Sequence, residues 1–235
     1  MTVNMLLVLW DIDHTLIENN GVNKETYARA FEMLTERPAE FPASTEGRTE
    51  PEIMLNMFRS HNIVPSEVQL ERLREVLEQA TSLNVEALRN RGHELPGARA
   101  ALSAFKSADD IVQSVLSGNT RVNALTKLRA FELDGYMDFE VGGYGSDDAV
   151  RANLVRFAQE RASVKYSVRF DAANSVLIGD TPRDVQAGRD GGAHVVGVAS
   201  GSDDIEVLKA AGADLVLPDL CDTQAVMNAV TSFRR

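Results

Sequence analysis

Cysteine is almost absent from this sequence: Cys221 is the only one in 235 residues. A lone thiol cannot form an intrachain disulfide, and such cysteine usage suits a reducing compartment, which predicts a cytoplasmic protein. Nothing near Cys221 marks it as an activated nucleophile. Long hydrophobic runs are also missing. No stretch approaches the roughly 20 apolar residues that a membrane-spanning helix needs, so no membrane partner is expected. The apolar run Met5–Trp10 is too short for a signal-peptide core and passes directly into Asp11. Basic residues are outnumbered, 24 against 35 acids, leaving a net charge of −11. A surface of that sign repels a polyanionic backbone and argues against general nucleic-acid binding, while a small phosphorylated ligand can still be met by a local site. There is no internal repeat and no low-complexity tract.

What is present is an ordinary globular composition, 44% hydrophobic and 25% charged, in a chain long enough for one large domain or a domain with an insertion. Short apolar runs rich in Val, Ile and Leu fall at 5–10, 111–116, 139–143, 175–179, 194–200 and 214–218. Most are continuously apolar rather than alternating, as expected of parallel strands covered on both faces. Helical patterns lie between them, at 120–133, 147–162 and 182–192 among others, and strand–helix alternation predicts a βαβ sheet. Residues 17–93 break this rhythm. They contain no convincing strand but three amphipathic helical patterns, at 24–37, 50–62 and 65–92, so a helical segment is expected to be inserted after the first strand.

Four motifs sit where strands end. In "DIDHTL", Asp11 and Asp13 follow the first strand at the carboxyl edge, where open α/β sheets bind ligands; a solvated turn with Thr15 satisfying local backbone is the plainer alternative. In "LSGNT", Ser117 offers a hydroxyl and Gly118 and Asn119 offer backbone N–H groups that can cradle an anion, unless Asn119 or Thr120 simply caps a helix. In "YGSDDAVRANLV", Ser146 or Asp147 reads as a helix cap and places Arg151 in the first turns. Lys127 and Arg156 are competing cations, set further along their helices. In "GDTPRD", Thr181, Pro182 and Asp184 read as an N-cap, N1 and N3, which leaves Asp180, directly after the apolar strand, unexplained by capping.

The order "DIDHTL", "LSGNT", Arg151, "GDTPRD" resembles the haloacid dehalogenase superfamily, in its phosphoglycolate-phosphatase-like branch, over essentially the whole chain. The resemblance implies an α/β, Rossmann-like parallel sheet of order 5-4-1-2-3, formed by residues 1–16 and 94–235, with an α-helical cap inserted at 17–93. It makes the strands carrying Asp11 and Asp180 neighbours. Phosphatases and phosphosugar mutases of that superfamily carry an aspartate at the position of Asp13, whereas its dehalogenases and phosphonate hydrolases lack it. His14 stands where glycine is usual, and Arg151 stands where many relatives use lysine.

On this basis the expected activity is hydrolysis of a small phosphomonoester, phosphoglycolate-like, through an aspartyl phosphate on Asp11, with Asp13 as general acid and base. Four acids against one arginine call for a divalent cation, and oxygen-only donors favour Mg2+, held by Asp11, Asp180 and the Asp13 backbone carbonyl, with Asp184 behind them. Ser117, Gly118, Asn119 and Arg151 would bind phosphate oxygens. Arg48, in "EGRTE" at the position of the substrate-reading cap loop, is a candidate contact to an anionic substrate group, or a solvent-facing arginine at a helix start. A phosphosugar mutase remains the nearest rival. A noncatalytic nucleotide-binding module is disfavoured because acids, not a glycine-rich phosphate loop, follow the first strand.

Overall fold

The computed structural model describes residues 5–234; residues 1–4 and 235, which the sequence reading places in the sheet-bearing part, lie outside the described residues. The fold is organised around β1 (Leu6–Trp10), whose five residues are all buried. Its side chains alternate between two apolar layers. Leu6, Val8 and Trp10 enter one core with Ala101, Leu102 and Phe105, while Leu7 and Leu9 enter another with Leu154, Val155 and Ala158. A continuously apolar strand is thus explained by cover on both faces.

After β1 the chain leaves the sheet through β2 (Ile17–Glu18), runs through α1 (Val22–Thr35), α2 (Glu50–Ser60) and α3 (Glu67–Arg91), and returns by β3 (His93–Glu94), which pairs antiparallel with β2. The three helices share an apolar cluster of their own, built from Tyr27, Phe31, Leu34, Ile53, Phe58, Leu73, Val76 and Leu77 among others. The first three of these lie at i, i+4 and i+7 on α1, so one helical stripe faces inward. The 25-residue α3 is opened by a capping box, in which Ser66 and Gln69 each satisfy the other's backbone N–H.

The rest of the chain alternates: α4 (Ala98–Lys106), β4 (Ile111–Ser117), α5 (Arg121–Ala130), β5 (Gly143–Tyr144), α6 (Arg151–Tyr166), β6 (Ser175–Gly179), α7 (Pro182–Gly191), β7 (His194–Val198), α8 (Ile205–Ala211), β8 (Leu215–Leu217) and α9 (Thr223–Thr231). The six-stranded sheet is parallel throughout, in the order β5-β4-β1-β6-β7-β8. Counting only its strands along the chain, the first five follow the expected 5-4-1-2-3, and β8 adds a sixth at the edge beyond β7. Trp10, in the central strand, donates its indole N–H to Gln113 Oε1 at 3.1 Å, so its polar tip is satisfied within the core. No helix among the described residues is long and apolar enough to cross a membrane.

Two local expectations shift. The third sheet strand, expected over 139–143, is only Gly143–Tyr144. Residues 138–141 turn instead: Val141 N donates to Asp138 O, and Tyr144 Oη donates to Phe139 O at 2.7 Å. Their apolar side chains fill the core without joining the ladder. Helix α6 starts at Arg151, not at 147, and neither Ser146 nor Asp147 caps it. The Asp147 carboxylate accepts from Tyr144 N and pairs with Arg161, which leaves it unable to serve the helix end.

Candidate active site

The carboxyl ends of β1, β4 and β6 and the amino ends of α6 and α7 converge on one cavity of about 220 Å³, which the helical segment borders from the other side. Asp11 follows β1 and extends its pairing, donating its backbone N–H to Ile178 O at 2.8 Å. The chain then folds back sharply, with Leu16 N bonded to Ile12 O. This turn needs a left-handed residue, and His14 supplies it at φ 63°, a conformation that glycine adopts more readily. The His14 ring is tied to Glu18 at 2.8 Å and its carbonyl accepts from Ser200 Oγ. Thr15 does not satisfy local backbone; its hydroxyl donates to Asp180 Oδ1 at 3.1 Å.

Asp180 directly follows β6, and Asp184 stands in the first turn of α7, whose capping box with Thr181 and leading Pro182 matches the sequence pattern. Carboxylate oxygens of Asp11, Asp180 and Asp184 lie within 4.8 Å of one another, and all three residues are buried. Arg151, the first residue of α6, bridges two of them: its Nη2 lies 2.6 Å from Asp11 Oδ1 and 2.5 Å from Asp184 Oδ1. Its Nε is buried with no partner. One guanidinium does not balance three acids. Burial first, then the charge of Asp184, pushes Asp11 up to about 7 despite Arg151, and burial with Asp11 and Asp184 raises Asp180 as well.

Asp13 lives in a different environment two residues away. Its Oδ2 accepts from Lys127 Nζ at 2.7 Å and Asn119 Nδ2 at 3.1 Å, and its Oδ1 from Asn23 Nδ2 at 2.8 Å. Burial alone would raise this carboxyl, but the Lys127 charge and these hydrogen bonds overturn that and hold it at about 2. The two acids of one motif are therefore pushed in opposite directions.

The loop after β4 completes the floor. Asn119 Nδ2 also donates to Ser117 Oγ at 2.6 Å, and Gly118 packs so closely under the helical segment that a Cβ there would fall 2.0 Å from Arg48 O. Glu50 N donates to Gly118 O at 2.7 Å, and the Glu50 carboxylate accepts from Thr120 N at 2.8 Å and Asn123 Nδ2 at 3.0 Å. Arg48 borders the same cavity, held by Ser44, Glu46 and Glu52.

Of the nine residues picked out in sequence, Asp11, Asp13, Ser117, Gly118, Asn119, Arg151, Asp180 and Arg48 line the cavity, and Asp184 stands behind it, on Arg151. Lys127 was set aside as too far along its helix, and the structure corrects this. It sits seven residues after the cap Thr120, on the same face, and its side chain reaches back to Asp13. Asn23 and Glu50 were also missed. The spacing of Thr120, Asn123 and Lys127 marks a polar face on α5 and was the readable signal; nothing local pairs it with Glu50.

Glu50 itself should be visible in stability. Burial, outweighing Lys127 and the two donors, raises it from 4.5 to about 7; Tyr27 and Asp13 face it as well. A carboxyl with a raised native value stabilises fully below its unfolded value, and that contribution is lost as pH rises through the native one. The span from 4.5 to about 7 corresponds to on the order of 3 kcal/mol. Glu50→Gln does not titrate, and its amide can pair with Asn123 Oδ1, which is buried without a partner, once that carboxamide flips. Urea melts should therefore show Glu50→Gln gaining on the wild type by roughly 2–3 kcal/mol between pH 4.5 and 8. A pH-independent gap would mean that Glu50 stays ionised throughout.

The comparisons agree with this architecture. A structure of a hydrolase from Pseudomonas syringae is 21% identical, with 96% of this chain and 99% of that one covered at a TM-score of 0.65. One described as a predicted phosphoglycolate phosphatase from Haemophilus somnus is 14% identical, covering 95% and 98% at 0.67. CbbY from Rhodobacter sphaeroides, solved in complex with phosphate, is 15% identical, covering 93% and 96% at 0.69. At these identities the likeness is one of fold. No curated protein matches the sequence. The model of the haloacid dehalogenase-like hydrolase family matches residues 8–189, a span that runs from inside β1 to the end of α7 and takes in Asp11, Asp13, Arg151, Asp180 and Asp184. The chain belongs to the haloacid dehalogenase-like hydrolases.

Proposed function

We propose that the protein is a Mg2+-dependent phosphatase that hydrolyses a small, phosphoglycolate-like phosphomonoester through an aspartyl phosphate on Asp11. The observation that carries this reading is the contrast between the two acids of one motif: Asp11 beside Arg151 in an acid cluster, and Asp13 held apart by Lys127 and amides. Asp11 attacks phosphorus and the leaving alkoxide departs opposite to it. Asp13, which Lys127 holds ionised in the free site, takes up a proton as the negatively charged phosphate enters, gives it to that alkoxide and then takes one from the attacking water. Arg151, with its unpartnered Nε, Ser117 Oγ and the N–H groups of Gly118 and Asn119 hold the equatorial oxygens, where transition-state charge accumulates. Residues 17–93 act as a cap that excludes water, and Arg48 reads the anionic end of the substrate.

The residues fit a hard cation. Three buried carboxylates within 4.8 Å supply oxygen donors only, with a single guanidinium paired among them. Asp11, Asp180 and the Asp13 carbonyl would hold it, with Asp184 anchoring Arg151. Mg2+, when bound, screens the charge of the nucleophile from that of the phosphate.

The test is phosphate release from p-nitrophenyl phosphate and from a panel of small phosphorylated metabolites, phosphoglycolate included. Chelation should abolish release and added Mg2+ should restore it. Full activity after exhaustive chelation would remove the metal from this reading. Conversion of a hexose phosphate to its isomer, without free phosphate, would replace hydrolysis by the mutase reaction.

A further inference from the structure

We propose that Lys127 is the positioning residue of the proton-transferring acid, fixing the Asp13 carboxylate toward the leaving group; this rests on the phosphatase reading above. Lys127 lies in the second turn of α5, and its side chain is 4% exposed. Burying an ammonium costs several kcal/mol unless it is paired and hydrogen-bonded. The neighbours of Lys127 on α5, Ala124 and Leu128, are fully buried core residues. An apolar side chain at 127 would pack at that boundary without any such cost. The chain instead places a charge there, and among the described residues its ion pair is with Asp13 Oδ2, at 2.7 Å.

The other donors to Asp13 divide the work. Asn23 and Asn19 hold Oδ1 from the start of the helical segment, and Asn119 shares Oδ2 from the loop that binds phosphate. These amides are neutral; Asn19 and Asn23 belong to the segment that moves when a cap opens, and Asn119 divides its amide between Asp13 and Ser117 Oγ. Lys127 is charged and stands on a packed helix of the sheet-bearing part. It is therefore the donor that keeps Asp13 in register with Asp11 when the cap contacts are broken. Glu50 closes the arrangement from the cap side. Its carboxylate is bonded to Thr120 and Asn123 and sits where it feels the Lys127 charge, so the ammonium lies between an acid of the core and an acid of the cap when the two halves are together.

A residue that acts only through Asp13 leaves a signature that a merely structural residue does not. The proton matters for a poor leaving group and hardly at all for an activated aryl ester. Lys127→Met lets Asp13 protonate more readily but leaves its carboxylate unheld. The ratio kcat/KM, which reports on leaving-group departure, should fall about 100-fold or more on an alkyl phosphate and roughly threefold or less on p-nitrophenyl phosphate. By contrast, kcat should fall on both, because they share the water step. Added to Asp13→Asn, it should cost nothing further on either substrate, because the group it positions is already gone. The double variant removes one positive and one negative charge together, so it keeps the local balance and remains interpretable if Lys127→Met alone folds poorly. Lys127→Arg keeps the charge and should recover part of the alkyl phosphate activity.

Equal losses in kcat/KM on both substrates, or a double variant whose losses multiply, would overturn the inference and leave Lys127 as scaffolding. Absence of turnover by the unmodified enzyme on both esters would overturn the phosphatase reading itself, and the inference with it.

Discussion

Asp11→Asn should leave a folded protein with no measurable turnover on any phosphate ester, a loss on the order of 10⁴-fold or more, as when a covalent nucleophile is removed. An amide has the same shape but no anionic oxygen to attack phosphorus, so no phosphoenzyme should be trapped on rapid acid quench. The fold is not at risk. Asp11 sits in a cluster where burial and Asp184 already oppose its ionisation, so a neutral isostere relieves repulsion even as Arg151 loses one charged partner. Thermal unfolding within a few degrees of the wild type, with activity gone, is the expected pair of results. Residual turnover that remains sensitive to Mg2+ would move the nucleophile elsewhere.

Arg151→Ala should be costly in two currencies at once. The side chain bridges Asp11 and Asp184 from 10% exposure, and its removal leaves three buried acids with no cation among them. Breaking a buried pair in this way typically costs about 3–5 kcal/mol. Proton uptake by the acids relieves part of this, so the deficit in urea melts should be larger at pH 8 than at pH 6. Mg2+ should recover more stability in the variant than it adds to the wild type, because it supplies the missing positive charge. Turnover should fall by about 100- to 1,000-fold, the usual loss when a preorganised donor to a developing anion is removed. Arg151→Lys restores a charge but not a planar fork, and is expected to lie between. Unchanged stability at both pH values would mean that the acids carry no uncompensated charge without the arginine.

The sheet and much of the site were legible because they are written locally. A continuously apolar strand followed by an acid is a short pattern that occurs at two strand ends. With the Ser117-Gly118-Asn119 turn after a third and Thr181-Pro182 opening α7, it places Asp11, Asp13, Ser117 and Asp180 without any knowledge of tertiary contacts. Arg151 was placed in the right turn for the wrong reason, since Asp147 serves Tyr144 and Arg161 instead of capping the helix. Lys127 and Glu50 were not legible in that way. Their partners lie 114 and 73 positions away along the chain, and a lysine in the second turn of a helix is most often solvated. The third strand was misjudged because a turn buries Val141 and half-buries Phe139, and burial alone does not distinguish a turn from a ladder.

The central position of β1 bears on how the molecule is made. This strand is synthesised before both of its neighbours, which come much later in the chain. Trp10 meets Gln113 across 103 positions, and Thr15 meets Asp180 across 165. The helices α1 to α3, by contrast, lie close together in sequence and share an apolar cluster among themselves. Local contacts form fast and distant pairings slowly, because the closure entropy of the intervening chain must be met first. During translation, therefore, five consecutive apolar residues with two unpaired edges precede a helical unit able to condense before them, and wait for β4 and β6. The segment that leads into Asp11 is thus the one exposed longest to mispairing with other nascent chains.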